Sequence, residues 1–480
     1  MSKALAMARR NLNSRNPMIC RTPSEILIMI ASHLKTNADF ITKATHVCHH
    51  WRATLLSCPD LWTYLNFARM SQAMSFLNRS KSFPIHVDLT NAFPSISSIE
   101  LLCLHTVRIH TLKITRFDGL HELFHRPLAS LKTLEVTTPD SLLSLQPVCP
   151  TAREFLTLTS LTVEHNPGAL AFRSTMITHL RVAISQEYSE ITKLPDLLRS
   201  CVFLEELEIE SKRERSLRLP SNEAIPLPHL HSFTQTVCSH RHKAGILNNL
   251  YLPPSCSVVL RCIAGISNGH PPYDLPSLRD TSYFTNVNRL KVVYLDRYLG
   301  RKGGFTIDFI NDRGTRFTAI TDFHNYADRF PEVENPRARK LGLSARKVEV
   351  FCVGGDKYVT LKSYEFVTTL ILSGPTVHLY LELLGKPKLG DACKSLHTLV
   401  LFVPLDPLTS VLVKLLLGVA QTRAKMGLPF RTVTFAYPSM LASDKLEALK
   451  GLEECVERVE LLLGDDALDW DLDKYFLKGL

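Results

Sequence analysis

Apolar residues near the start of the chain recur at the spacing of a helix. The segment Thr22-Pro23-Ser24-Glu25 has the form of a helix start: Thr22 can cap the first turn, Pro23 presets its φ angle, and Glu25 lies three residues after the cap. One apolar stripe follows, formed by Ile26, Leu27, Ile30 and Leu34. The pattern therefore predicts a helix that begins at Pro23.

A second helical stretch is predicted after a cap at Asn37 or Asp39. Helical spacing continues through Phe40, Ala44, Val47, Cys48, Trp51 and Leu55. We expect this stretch to break or bend near Cys48 and to stop before Pro59, because proline does not continue a helix. Two or three short helices are at the lower limit for independent stability, so we expect the module to pack on a neighbour or to bind a partner.

A short aliphatic template, LxxLxL, recurs from residue 109 onward. The copies are Ile109-Leu112-Ile114, Leu131-Leu134-Val136, Leu158-Leu161-Val163, Ile177-Leu180-Val182 and Leu204-Leu207-Ile209. Their central residues are separated by 22, 27, 19 and 27 positions, which straddles the period of a leucine-rich repeat. The pattern predicts one strand per repeat, with the aliphatic residues in a shared core and the polar residues between them on the surface.

The template returns late in the chain, at Leu396-Leu399-Leu401, Phe430-Val433-Phe435 and Val456-Val459-Leu461. Pro407 and Thr409 can open a helix between the first two of these copies, and Arg423, Lys425 and Gly427 can close it. Residues 396 to 461 therefore have the order strand, helix, strand, helix, strand, which predicts parallel strands joined by crossover helices.

The middle of the chain departs from this regularity. The template appears at Val287-Leu290-Val292 and then lapses until Val367-Leu370-Leu372. Strand-like runs with polar, Gly-rich joins lie around this stretch, at residues 257–261, 305–309 and 347–351. We interpret residues 238 to 365 as an insertion of strands and long loops that decorates the repeat array, and such insertions often carry recognition.

Three blocks at the start of the chain resemble an F-box. They are Pro23-Ser24-Glu25-Ile26-Leu27, Val47-Cys48-His49-His50-Trp51-Arg52 and Cys58-Pro59-Asp60-Leu61-Trp62, in this order and at suitable spacing. The resemblance covers residues 17 to 67 and implies a three-helix module that docks onto a Skp-type adaptor. Through that adaptor it would attach to a cullin-RING (SCF) ubiquitin ligase, whose chemistry belongs to other subunits.

Carried over by position, the resemblance implies that four residues face the adaptor: Pro23, Ile26, Leu27 and Ile30. It implies that three more bridge the core and the interface: Val47, Cys48 and Trp51. One position departs from the family pattern, because Thr22 stands where the family commonly has leucine directly before the proline. An apolar anchor is therefore missing, and we expect a lower adaptor affinity. The alternative interpretation is that the apolar stripe serves only an internal core.

The remainder of the chain looks like an irregular leucine-rich-repeat domain of the kind that commonly follows F-boxes. We therefore predict a mainly α/β protein: a basic arm at residues 1 to 16, the F-box at 17 to 67, and an irregular α/β leucine-rich-repeat-like solenoid at 68 to 480 with inserted strands and loops. The function implied is that of an SCF substrate-recognition adaptor, with the repeat domain binding an unknown protein substrate. The alternative is a non-catalytic scaffold that binds the Skp-type adaptor outside a ubiquitin ligase.

Charge and cysteine usage narrow the class of protein further. The net charge of +10 over 480 residues is mild, and its one concentrated run, residues 1 to 16, is typical of a frayed basic terminus, with an organelle presequence as the competing interpretation. The sequence contains no run of 18 apolar residues, so it predicts no membrane span. Aromatic residues are not interleaved with basic ones, as they would be in a surface that stacks single-stranded nucleic acid. The 12 scattered cysteines, without a CxxC pair, predict reduced thiols in a cytoplasmic or nuclear protein.

Catalytic and metal motifs are weak. Residues 265–269 match GxSxG, but His270-Pro271-Pro272 disfavours the helix that a nucleophile elbow needs directly afterwards. The clusters at 238–242 and 46–50 each bring Cys and His together without the second spaced pair of a structural zinc site. No phosphate-binding glycine loop occurs. We therefore expect no catalytic residues, no metal and no cofactor, with Ser267 as the residue on which a hydrolase alternative depends.

Overall fold

A computed structural model describes most of the segments in which the sequence predicts regular structure. The residues described are 22–90, 96–115, 121–137, 155–164, 174–184, 194–211, 224–237, 246–264, 287–295, 303–311, 316–323, 347–353, 367–373, 377–386, 393–402, 410–437 and 450–463. They divide into two compact units. Unit 1 contains the described residues up to Glu210 together with 225–230, and unit 2 contains Ser211, Ala224 and those from His231 onward. The protein is mixed α/β with a large parallel sheet.

Unit 1 opens with three short helices, as the hydrophobic pattern predicts. Helices α1 (Ser24–His33), α2 (Ala38–Ala44) and α3 (His49–Leu56) are followed by a 3-10 turn at Pro59–Trp62. The first helix starts one residue later than expected, because Pro23 occupies the cap position with extended backbone (ψ 143°). No side-chain capping bond forms there, so the predicted capping box of Thr22 and Glu25 is wrong.

The predicted boundaries of the second helical stretch are confirmed. Asn37 caps α2 by accepting a hydrogen bond from the Phe40 amide at 3.0 Å. The stretch breaks at Cys48, whose extended backbone places Sγ to accept from the Trp51 amide at 3.5 Å and so to cap α3. Each break therefore occurs where a side chain can replace the backbone partner that a helix start lacks.

The strands of unit 1 form a parallel sheet in chain order. They are β1 (Tyr64–Asn66), β2 (Ile85–Leu89), β3 (Ile109–Ile114), β4 (Thr133–Thr137), β5 (Ser160–Glu164), β6 (His179–Ile184) and β7 (Glu206–Ser211). A short strand, β8 (Ile225–Pro226), follows them outside this sheet. Between them lie helices α4 (Met70–Arg79), α5 (Ile96–Cys103), α6 (His121–His125) and α7 (Leu194–Ser200). Adjacent strands pair parallel from β1 through β6, which requires a crossover connection between each pair.

The template residues stand in register across this sheet. The central positions of four successive copies are paired laterally: Leu112, Leu134, Leu161 and Leu180. The first position of each of the five copies is also buried, from Ile109 to Leu204. The prediction of one strand per repeat, with aliphatic residues in a shared core, is therefore confirmed for this part of the chain.

Trp62 joins the helical module to the sheet. Its side chain is fully buried, its Nε1 donates to the Leu55 carbonyl at 2.9 Å, and its ring meets Phe76 of α4 edge-on with centroids 4.9 Å apart. The guanidinium of Arg79 lies 4.4 Å from the ring centroid. Because α4 packs on β1, the three helices share one core with the start of the sheet.

Unit 2 contains a second set of strands. They are β9 (Ser232–Val237), β10 (Leu250–Tyr251), β11 (Ser257–Ala264), β12 (Val287–Leu295), β13 (Gly303–Asn311), β14 (Arg316–Phe323), β15 (Lys347–Val353), β16 (Thr369–Ser373), β17 (Thr398–Phe402), β18 (Thr432–Tyr437) and β19 (Arg458–Leu463). Lateral pairing runs β9, β11, β14, β13, β12, β15 and then β16 to β19 in order. Within this set β13 is antiparallel to both neighbours, and the remaining pairs are parallel. The strand-like runs predicted for residues 238 to 365 are therefore members of the sheet.

The predicted alternation of strand and helix at the end of the chain is present in the described residues. Helices α8 (Val377–Leu384) and α9 (Ser410–Lys425) precede β17 and β18, and a short helical segment at 450–453 precedes β19. Helix α9 ends at Lys425, and Gly427 follows it in the closing turn as predicted: the φ of Gly427, 74°, suits glycine, and the Leu428 amide donates to the Arg423 carbonyl at 2.9 Å.

Arg423, one of the three residues predicted to close α9, also has contacts that the sequence did not predict. Its side chain is completely buried, with Nη2 donating to the carbonyls of Cys393 (3.2 Å) and Leu396 (2.9 Å). The guanidinium lies 4.9 Å from the Phe430 ring centroid. Among the residues that the structure describes, Nε and Nη1 have no hydrogen-bond acceptor. Arg423 thus ties the end of α9 to the turn before β17.

Several predicted features lie outside the described residues. These are the basic arm at 1–16, the cluster at 238–242, the GxSxG segment at 265–269 and the helix-opening Pro407 and Thr409.

We expect Trp62→Phe to lower the free energy of unfolding of unit 1 by about 1 to 2 kcal/mol, because it removes the bond to Leu55 and part of the ring that contacts Phe76. Urea unfolding followed by circular dichroism measures this loss. Trp51→Phe is the matched control, since Trp51 is only half-buried in the same module. Equal losses in the two variants would contradict the role assigned to Trp62.

We expect Arg423→Ala to lower the free energy of unfolding of unit 2 by about 2 to 4 kcal/mol, because it removes the donor to two carbonyls and leaves a cavity. Arg423→Met keeps most of the volume and removes two buried donors that lack an acceptor, so its loss should be clearly smaller. Urea titrations compare the variants. A methionine variant as unstable as the alanine variant would show that the charged group itself is required.

Candidate protein-docking site

Helix α1 has an apolar stripe that faces solvent. Four residues at helical spacing are each about half exposed: Ile26 (42%), Met29 (53%), Ile30 (40%) and Leu34 (40%). Pro23, at the start of the helix, is also exposed. A continuous row of large exposed aliphatic side chains on one helix is the kind of surface that a protein partner covers.

A second stripe of the same helix forms the internal core. Leu27 and Ala31 are each 1% exposed, and α1 packs against α3 and the 3-10 turn. Leu27, one of the residues expected to face an adaptor, therefore lies inside the module. Helix α1 is apolar on two adjacent stripes, and the core uses only one of them.

The first two sequence blocks meet at the start of α1. His50 of α3 donates from Nε2 to the Thr22 carbonyl at 2.9 Å, and the hydroxyls of Ser24 and Thr54 lie 3.4 Å apart. These contacts bring the first turn of α3 beside Pro23. The remaining predicted site residues are half-buried at this end of the module: Val47, Cys48 and Trp51. The side chain of His50 could have faced solvent, but it links α3 to Thr22 through a hydrogen bond.

An open groove of about 690 Å³ lies where the turn between α1 and α2 meets the polar side of β1 to β3. On its lining, the rings of Tyr64 and His86 are stacked with centroids 4.3 Å apart, and His86 Nδ1 lies 2.9 Å from the Thr111 hydroxyl. Arg69 forms an ion pair with Asp39 on the same lining. The groove is lined by both apolar and charged residues, with Asp39 and Asp88 balanced by Arg69 and Lys113, and the sequence pattern did not predict it.

Charged residues form a row across the polar side of the sheet. The positions directly after the central aliphatic residues are paired laterally in the order Asp88, Lys113, Glu135, Thr162 and Arg181. The Lys113 ammonium lies 2.5 Å from a Glu135 carboxylate oxygen. Opposite charges on adjacent strands favour the observed register.

Burial shifts the pKa values of several groups. It lowers the pKa of His86, with the charges of His110 and Lys35 adding to the effect and Asp60 opposing it. It lowers the pKa of His110 as well, helped by Lys132. Burial raises the pKa of the Cys201 and Cys393 thiols to about 11 and that of Cys256 to about 12. These three thiols are therefore neutral and unreactive at neutral pH.

Other kinds of site find little support in the described part of the chain. No group of three or more His, Cys, Asp or Glu residues there is placed to hold a metal ion, which includes the cluster at 46–50. Within the described ranges no helix combines the length and apolar character needed to cross a bilayer. The candidate site is the exposed apolar stripe of α1.

The chain matches no protein-family model and no curated protein.

We expect the stability of unit 1 to fall as the pH drops below about 6.5, because His86 has a lower pKa in the folded chain than in the unfolded chain. Below that pH the unfolded chain binds a proton that folded His86 does not yet bind. The free energy of unfolding therefore falls until the pH reaches the pKa of His86 in the folded chain. Urea midpoints at pH 7.5 and 5.5 should therefore differ less in His86→Gln than in the wild type.

The control for this comparison is His49→Gln, which changes an exposed histidine of the same unit. It should keep the wild-type difference between the two pH values. If His86→Gln also keeps it, another group carries the acid sensitivity.

Proposed function

We propose that the chain is the substrate-recognition adaptor of an SCF ubiquitin ligase, with the helical module as an F-box that binds a Skp-type adaptor. The observation that carries this proposal is the exposed aliphatic stripe of α1, Ile26, Met29, Ile30 and Leu34, next to the exposed Pro23. These residues include three of those that the F-box resemblance assigns to the interface.

Burial of such a stripe would stabilise a complex. At roughly 25 cal/mol per Å² of apolar surface removed from water, each half-exposed aliphatic side chain contributes modestly, and the row contributes as a unit. Leu27 supports this surface from beneath, because it anchors α1 to the core of the module. Val47, Cys48 and Trp51 are half-buried and lie where core and interface would meet.

The role proposed for the repeat-like strands is to hold a protein substrate. Four registered template copies, with the fifth on the adjacent strand β7 and a polar outer side, support an irregular leucine-rich-repeat arrangement for unit 1. Ubiquitin transfer would be carried out by other subunits, so this chain would contribute binding and placement only.

We expect Ile26→Ala combined with Ile30→Ala to weaken binding of a purified Skp-type adaptor by about 2 to 4 kcal/mol, because buried aliphatic anchors carry most of an interface's binding energy. Titration calorimetry with the full chain measures the affinity. Ile96→Ala is the matched control, since Ile96 is 79% exposed on α5 of the same unit and outside the proposed interface.

Unchanged affinity in the double variant, with the fold intact by circular dichroism, would mean that α1 does not form the interface. Reconstitution with the cullin separates the two possible complexes. A ternary assembly supports the ligase adaptor, whereas adaptor binding that excludes the cullin favours a scaffold outside the ligase.

A further inference from the structure

A row of exposed apolar side chains lies at the start of three neighbouring strands of unit 1. Leu156 (76% exposed), Met176 (45%), Val202 (47%) and Phe203 (48%) occupy the turns that lead into β5, β6 and β7. We call these four residues the apolar ridge. The helical module and the template core use none of them.

The ridge is a consequence of the strand register. Leu156 and Val202 precede the central leucines of their strands by five residues, and Met176 and Phe203 precede theirs by four. Those central positions are paired across β5 and β6, and β7 follows β6 in the sheet. Neighbouring strands lie about 4.8 Å apart, so the ridge extends about 10 Å across three strands.

The polar side of the same strands carries an excess of negative charge. Four carboxylates lie there: Glu164, Glu206, Glu208 and Glu210. Arg181 is 3.6 to 3.8 Å from three of them, and His179 is 3.7 Å from Glu206. With histidine neutral, four carboxylates against one guanidinium leave three negative charges on a chain whose net charge is +10. We call the four glutamates the acidic face.

The ridge and the acidic face adjoin. Phe203 precedes Glu206 by three residues and Met176 precedes His179 by three, which places the two surfaces within about 10 Å of each other. Contiguous exposed apolar residues mark interaction sites, and exposed carboxylates beside them select and steer a partner of opposite charge. The two features are independent, because one arises from turn residues and the other from strand residues.

We propose that β5 to β7 form a binding site for a basic segment of a partner protein, in which aliphatic or aromatic side chains alternate with lysine or arginine. The apolar side chains would cover the ridge, and the basic ones would meet Glu206, Glu208 and Glu210. This inference rests on the proposed function insofar as it makes the partner the ubiquitination substrate. A nucleic acid is an unsuitable partner, because its negatively charged phosphates would lie against the carboxylates of the acidic face.

The test uses the full chain and short fluorescein-labelled peptides, with binding measured by fluorescence anisotropy. The first probe alternates lysine and leucine, the second glutamate and leucine, and the third lysine and serine. We expect the lysine–leucine peptide to bind, the lysine–serine peptide to bind more weakly, and the glutamate–leucine peptide not to bind. Added salt should weaken the first interaction, because the carboxylates are exposed.

Two variants then test the two surfaces separately. Phe203→Ser and Glu208→Lys should each weaken binding of the lysine–leucine peptide by about tenfold or more, as expected when a central contact of an interface is lost. The matched controls change similar residues at another place in unit 1: Leu104→Ser, at a position 77% exposed, and Glu100→Lys on α5. These controls should leave the affinity unchanged.

Three results would overturn the proposal: equal binding of the glutamate–leucine peptide, equal affinities in the variants and their controls, or no binding of the lysine–leucine peptide. Self-association of the wild type that Phe203→Ser abolishes, seen by sedimentation, would also overturn it by making a second copy the occupant. Affinity for the Skp-type adaptor is measured on the same proteins. Adaptor binding without peptide binding overturns this inference alone, and peptide binding without adaptor binding overturns the proposed function alone.

Discussion

The lateral register of the parallel strands is the constraint on which the surfaces of unit 1 depend. Leu112, Leu134, Leu161 and Leu180 stand side by side in the core, so each strand has one allowed position relative to its neighbour. A slip by one residue would turn each aliphatic side chain toward solvent and each charged one inward. The charged row, the apolar ridge and the acidic face all keep their places because the buried leucines fix the register.

Trp62 extends this constraint to the three helices. Its ring contacts Phe76, its Nε1 binds the Leu55 carbonyl, and Arg79 covers it. The helical module therefore shares its core with α4 and β1, and a fragment that ends before α4 would expose Trp62. With its inner stripe, Leu27 and Ala31, held in this core, α1 can leave its outer stripe exposed without losing its position.

Both proposed binding roles depend on exposed surfaces of unit 1. Unit 1 combines an uncovered aliphatic stripe on α1 with a ridge and an acidic face on β5 to β7, and these regions are chemically different. The stripe is apolar throughout and suits a partner that buries it. The second region mixes apolar residues with exposed carboxylates, which suits a charged and more weakly held partner. Such a division matches a chain that would bind one protein permanently and another transiently.

Features set by neighbouring residues could be predicted from the sequence. The caps at Asn37 and Cys48, the end of α9 at Gly427 and the strand positions of the LxxLxL copies follow from local backbone chemistry and from a periodicity that one sequence displays. The three short helices at the start of the chain were likewise predicted from their apolar spacing and caps. In each of these cases the residues that decide the structure lie within a few positions of each other.

Contacts between distant residues were decided by the tertiary structure. Arg423 was expected only to help close α9, but its side chain is buried, because the turn around Cys393 and Leu396 offers its donors two carbonyls. Leu27 faces inward, His50 binds the Thr22 carbonyl in place of a capping box, and β13 pairs antiparallel. The ridge and the acidic face were likewise decided by the tertiary structure. A local pattern fixes which positions are apolar, but which of them become covered depends on the elements that pack against them.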